Sequence, residues 1–224
     1  MYEIINPNYK FPFMKNTILL FVFTIIGFTS QAQISDNITF EASYGMSVPL
    51  NFVSNVSNEN FNSTSHFDGG IRYMFTRDLG VKGELAYDKY SGKAANYGMK
   101  TILVDAQLYY NLGRLSGLLY ATNETVGLYA HAGFGVALNK SINNGMTDHA
   151  GTYIMGLSPL FKLSDAFALS TDISYKLNIK QHIHFDGTFF ADPTVTNHDV
   201  SQFTVSIGAI YYLGGTKSHS DWSR

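Results

Sequence analysis

With 224 residues, 45% of them hydrophobic and only 14% charged, the chain is excluded from the disordered class and carries apolar surface for one domain or a small pair. A net charge near −2, with no run of Lys and Arg along the chain, excludes nucleic acid as a partner. The absence of Cys excludes a disulfide framework, a thiolate metal site and a Cys nucleophile. Fifteen Tyr, 17 Phe and 20 Gly against a single Trp suit strands and tight turns better than helices.

The first element is an export signal: Lys15, the apolar run Ile18 to Phe28, then Ser30-Gln31-Ala32 as a small-residue cleavage site, with cleavage expected after Ala32. The run is shorter than the roughly 20 apolar residues a membrane-spanning helix needs, and nothing after Gln33 is longer. The residues before Met14 include Pro7 and Pro12 and fit neither a signal n-region nor a strand, so translation is expected to start at Met14. Residues 1–32 are therefore read as an upstream segment plus signal peptide.

From Asn37 to Val48 the sequence alternates without a fault. Ile38, Phe40, Ala42, Tyr44, Met46 and Val48 are apolar and the residues between them polar or small. Seven further runs repeat the pattern, led by Phe67 to Phe75, Leu79 to Tyr87, Ile102 to Tyr110, Val126 to Val136, Tyr153 to Leu163, Phe167 to Ile179 and Phe203 to Leu213. Their length exceeds that of most soluble strands and suits a tilted strand crossing a bilayer. The connections alternate as well: Thr76-Arg77-Asp78 and Ser164-Asp165 are tight, whereas 49–64, 91–98, 139–149 and 180–199 are long and rich in Asn and Ser. Long loops outside and short turns inside are the habit of outer-membrane barrels. The turn from Gly113 to Asn123 is longer than this rule allows. Outward-facing aromatics at both strand ends read as interfacial girdles.

The polar positions of these strands carry Glu41, Asp68, Arg72, Lys82, Glu84, Asp88, Asp105, His131, Lys162, Asp172 and Lys176, of both signs. In a soluble sandwich or lipocalin-like barrel this face would be the solvated outside. The export signal and the long aromatic apolar face favour the opposite arrangement, with lipid outside and charges inside. An eight-stranded barrel is just wide enough for side chains to fill, so the charges are expected to pair as a plug, with Gly70, Gly133, Gly135, Gly156 and Gly208 leaving room for the longer side chains.

Several stretches in order resemble the N-terminal barrel of OmpA-type outer-membrane proteins. They are Gly80-Val81-Lys82-Gly83-Glu84-Leu85-Ala86-Tyr87-Asp88, Asn111-Leu112-Gly113-Arg114-Leu115, Ala130-His131-Ala132-Gly133-Phe134-Gly135, Leu157-Ser158-Pro159, Gln181-His182 with Phe185-Asp186-Gly187, and Tyr212-Leu213-Gly214 with Asp221-Trp222. The resemblance covers Ile38 to Trp222 and rests on the order and spacing of the stretches. It implies an all-β, eight-stranded antiparallel up-and-down transmembrane barrel over 37–213, with 214–224 as a periplasmic tail or linker stump. In such proteins a periplasmic peptidoglycan-binding domain usually follows. Nothing here matches it, so peptidoglycan becomes a partner only if such a domain lies beyond Arg224.

Two constellations carry possible chemistry. Gln181-His182-Ile183-His184-Phe185-Asp186 places two His and an Asp at alternating positions, a conceivable Zn²⁺ site or simply polar loop residues above the rim. Ser, His and acidic residues are plentiful, but no ordered catalytic motif selects a set, and His131 is expected near Asp105 or Glu84 as part of the plug. The expectation is a non-enzymatic outer-membrane barrel without cofactor or metal, in contact with outer-membrane lipid and lipopolysaccharide, supporting envelope integrity and presenting loops to extracellular ligands. A small gated porin-like channel and a lipid-modifying barrel enzyme are the alternatives.

Overall fold

The computed structural model describes residues 36–51, 53–55, 61–92, 96–190, 198–214 and 219–222; the expected signal peptide lies outside them. Eight strands follow one another: β1 Ile38–Pro49, β2 Ser63–Met74, β3 Leu79–Ser91, β4 Gly98–Asn111, β5 Val126–Ser141, β6 Thr147–Lys162, β7 Phe167–Gln181 and β8 His198–Tyr212. Two one-turn helices, α1 Leu112–Leu115 and α2 Leu118–Ala121, stand between β4 and β5. Each strand pairs antiparallel with the next, and β8 pairs with β1 to close the barrel.

The register fixes the barrel's shape. Following paired residues around the wall leads from Thr39 through Arg72, Lys82, Gln107, Gly133, Ile154, Lys176 and Gln202 back to Pro49, ten residues further along β1. Eight strands with a stagger of ten, at about 3.3 Å per residue and 4.8 Å between strands, tilt by about 40° and enclose a cylinder about 8 Å in radius. Side chains reaching in from opposite walls meet at that radius. A 12-residue strand so tilted rises about 30 Å, enough for the apolar band of an outer-membrane barrel.

Alternation decides the two faces. Val104, Leu108, Phe134 and Met155, on the outside of β4 to β6, leave 55–70% of their surface exposed, and every strand contributes similar residues. An apolar wall of this extent would drive association in water but matches hydrocarbon, and closure leaves no strand edge unsatisfied there. Of the residues expected in the girdles, Tyr73, Phe75, Tyr110, Phe161, Phe167, Tyr211, Phe67 and Tyr153 are exposed on this wall, whereas Tyr87 and Tyr175 are half-buried.

The turns expected to be tight are closed by their own hydroxyls. Thr76 Oγ1 accepts the Asp78 and Leu79 N–H groups, and Ser164 Oγ accepts those of Ala166 and Phe167. The long connection from Gly113 to Asn123 also gains a reason. Asn111 Oδ1 caps α1 by accepting the Arg114 N–H at 3.0 Å, and Gly117 turns the chain at φ +73° into α2. Leu119 is thereby set under the barrel mouth, 3% exposed. The extra residues form part of the floor.

One expectation is corrected on the inner face. The positions between the outward residues are not all polar or small: Met74, Tyr109, Tyr129, Ile154, Leu160, Ile210 and Tyr212 also point in and are buried. Lipid hides none of these, so they pack on one another at the turn end of the lumen and above it.

Candidate functional site

The inward residues form a ladder of charge pairs, taken here from the turn end upward. Arg72 is fully buried; its Nε donates to Glu41 at 2.7 Å, and its Nη1 and Nη2 donate to the two oxygens of Asp221 at 2.8 and 2.7 Å. Such a two-pronged fork is the strongest geometry an arginine and a carboxylate adopt. The guanidinium also lies over the rings of Tyr129 and Tyr109, at 4.9 and 5.6 Å. Lys82 bridges Glu41 at 3.2 Å and Glu84 at 2.6 Å.

Higher up, His66 stands between Asp68 and Asp88, each 3.1 Å from a ring nitrogen. Ser43 donates to Asp68, and its oxygen lies within hydrogen-bond distance of the Ser206 hydroxyl. Asp172 receives the Ser158 and Ser174 hydroxyls and lies 2.9 Å from His131 Nε2, while His131 stacks on Tyr109. The sequence reading placed His131 near Asp105 or Glu84; the register brings it to Asp172, on β7, instead. Asp105 accepts from Gln107 at 2.8 Å, and Lys176, 2% exposed, lies within electrostatic reach of Asp105 and His66. Lys162, at the lower rim, holds its Nζ 5.7 Å over the ring of Trp222. All eleven charged positions thus face inward. His66 joins them, missed by reading because it stands one residue ahead of the run that begins at Phe67.

What room remains is small. A cavity lined by Glu41, Asp68, Lys82, His131, Asp172 and Lys176, among others, offers the centres of water molecules about 30 Å³, room for two or three. Gly70 and Gly156 make that fit possible, since a Cβ at either would strike Lys82 or His131 respectively, together with strand backbone.

Both ends are closed. At the turn end the last described residues, 219–222, part of the stretch read as a periplasmic tail or linker stump, fold back into the mouth. Tyr129 and Tyr212 donate to Asp221 at 2.8 and 2.9 Å beside the Arg72 fork, and Ser220 donates to Asn37. Trp222, 2% exposed, packs with Met74, Tyr109, Leu119, Tyr129, Leu160, Ala168, Ile210 and Tyr212.

At the loop end Phe61, Tyr90, Met99, Ile183, Phe185, Phe190 and Val200 make an apolar lid, and the Tyr90 hydroxyl donates down to Gln202 and lies 3.1 Å from that of Ser47. Asp186 fastens the loops together. Its carboxylate accepts the Ser54 hydroxyl at 2.7 Å and the Asn55 N–H at 2.9 Å, as well as the hydroxyl and N–H of Thr188. Next to it Gly187, at φ +82°, lets the chain pass against Gly98 so closely that no Cβ fits. The residues considered for a metal are taken up by this lid: His182 Nδ1 lies 2.8 Å from Asp148, and the His184 ring lies tilted against that of Phe190, 3.8 Å between centroids. Among the described residues no three His, Asp or Glu gather in a metal-binding arrangement.

Burial by itself would raise the Asp186 carboxyl, but the hydrogen bonds from Thr188, Ser54 and Asn55 favour its charged form and hold its pKa below the ordinary value. A depressed folded pKa stabilises the lid above the usual carboxylate range, about pH 4, and that stabilisation disappears as pH falls through the folded value. Loop cleavage, scaled at each pH to cleavage of an unfolded substrate by the same protease, is therefore expected to rise steeply below about pH 4 with an acid-active protease, and Asp186→Asn is expected to show the acid pattern already at neutral pH with a protease active there. Equal cleavage of the two proteins at every pH contradicts the role of this fastening.

An apolar outer wall around a charge-paired, filled lumen defines a small membrane-spanning β-barrel. Among solved structures, Neisserial surface protein A (NspA) superposes with a TM-score of 0.55 at 13% identity, covering 78% of this chain and 96% of that one. The N-terminal β-barrel domain of OprF from Pseudomonas aeruginosa matches at 0.45 and 14%, covering 79% and 96%, and Ail of Yersinia pestis at 0.43 and 19%, covering 79% and 98%. At such identities the likeness is one of fold. No protein-family model matches the sequence, and no curated protein sequence is detectably similar to it. The eight-stranded barrel expected from the resemblance to OmpA-type N-terminal domains is the fold observed.

Proposed function

We propose that the chain is a structural, non-enzymatic barrel of a bacterial outer membrane that supports envelope integrity and presents its loops for adhesion or recognition. One observation carries the reading: among the described residues the lumen is filled with paired side chains between two buried apolar clusters, and the cavity left among the charges has room for two or three waters. The paired charges stiffen the wall from within while lipid and lipopolysaccharide face its apolar outside. At the loop end Phe189 and Tyr97 are exposed and available for contact.

The order of groups at Asp172 weighs against the lipid-modifying alternative. Hydrolysis by serine needs the imidazole between hydroxyl and carboxylate, whereas here the carboxylate stands between Ser158 and His131, inside the lumen. The porin-like alternative is decided by recording the full chain in planar bilayers in concentrated KCl. No stable channel steps are expected, and long-lived steps of uniform size would overturn the structural reading in favour of a pore.

A further inference from the structure

Three lysines far apart in the chain stand side by side on the outer wall. Lys89 of β3 pairs in register with Lys100 of β4, Lys100 pairs with Lys140 of β5, and Lys140 pairs with Thr147 of β6. All four are exposed. Residues directly opposite on one face of a sheet have Cβ atoms about 5 Å apart, and like charges so placed repel. Among the described residues no carboxylate relieves them. Asp88, beside Lys89, and Asp148, beside Thr147, turn inward to His66 and His182. Among the described residues, none of the three lysines has an acidic partner, and Arg72, Lys82, Lys162 and Lys176 face the lumen.

The height of the row identifies its ligand. It lies at the loop end of β3, β4 and β5, and the next outward residues towards the membrane are Tyr87, Ile102 and Leu138, an aromatic edge followed by the apolar belt. His149, opposite Leu138, adds an exposed imidazole diagonal to Lys140. A molecule suited to this surface has acyl chains for the belt and anionic groups for the lysines. The row spans two strand spacings, about 10 Å, more than one phosphate fills.

The geometry points to a site for a phosphorylated glycolipid of the outer leaflet, held by Lys89, Lys100 and Lys140 with Thr147 and His149 at its margin. The site rests on the outer-membrane reading above. The lysines neutralise phosphates at the lipid surface, and the ligand in turn cancels the repulsion that the register imposes on them.

The test uses the full chain folded in phosphatidylcholine nanodiscs, with bisphosphorylated lipid A as probe. Retention of lipid A is expected to fall about 5-fold for each lysine replaced by serine and about 100-fold for Lys89→Ser, Lys100→Ser and Lys140→Ser together. It should also weaken with salt. The triple Lys→Arg variant keeps the charge and is expected to bind as the parent does, which separates lost binding from lost folding. The site is overturned if the triple serine variant retains lipid A undiminished, if lipid A stripped of its phosphates binds equally well, or if free inorganic phosphate displaces the lipid and so marks a plain anion site. Failure of the membrane reading itself looks different: the parent chain would not insert into the discs at all.

Discussion

Replacing Arg72 by methionine is expected to lower the stability of the folded barrel by about 3–5 kcal/mol and to release its C-terminal plug. Among the described residues the guanidinium is the one Lys or Arg cation on Asp221, a carboxylate with no exposed surface, and it shares Glu41 with Lys82. Taking the cation away leaves Asp221 with the Tyr129 and Tyr212 hydroxyls and His219 beside it, too little to hold a charge out of water. Removing both partners should be far milder, because an apolar pair of similar size has no charge to desolvate. The double variant Arg72→Met with Asp221→Leu is therefore expected to recover most of the loss. The midpoint of urea unfolding in lipid vesicles measures both. A single variant as stable as the parent would mean that the fork is ornamental.

The plug has its own reporter, since Trp222 is the only tryptophan of the chain. Its fluorescence is expected to be blue-shifted and shielded from iodide in the parent, and red-shifted and quenchable in Arg72→Met. Trp222→Ala empties a site walled by eight buried side chains, Leu119 and Ile210 among them, and is expected to cost about 3–5 kcal/mol. A second measurement separates plugging from mere packing. The chain has no Cys, so Ile210→Cys introduces a single thiol on the lumen wall, at a position 1% exposed with the plug in place. In a chain ending at Gly214 a water-soluble thiol reagent is expected to label it at least about tenfold faster, a change that corresponds to about 1.4 kcal/mol in the opening equilibrium. Equal rates with and without the tail would show that residues 219–222 do not close the mouth.

Most of the wall was legible because its physics is local. A strand places alternate residues on opposite faces, so Phe40, Ala42, Tyr44 and Met46 announce a two-faced strand whatever they later pair with. Loop lengths gave the up-and-down order in the same way. The long turn was not legible, since nothing in Gly113 to Asn123 shows that Leu119 has a hollow to fill until the barrel mouth exists. Nor did the inner face yield fully. Tyr109 and Tyr129 break the polar pattern, and their reason lies in a ring contact to each other and in Arg72, on another strand.

By itself the sequence determined which residues face lipid and which face the lumen, and so that eleven charged side chains would meet inside a narrow barrel. It could do so because the period of a strand and the cost of charge in hydrocarbon act on each residue separately. The partners were decided by the tertiary structure alone. A stagger of ten sets which residues share a level, and with it that His131 meets Asp172, that Arg72 receives Asp221 from the chain's far end, and that three scattered lysines become one row. Register is a property of the closed sheet, because each pairing is fixed by all the others around the ring.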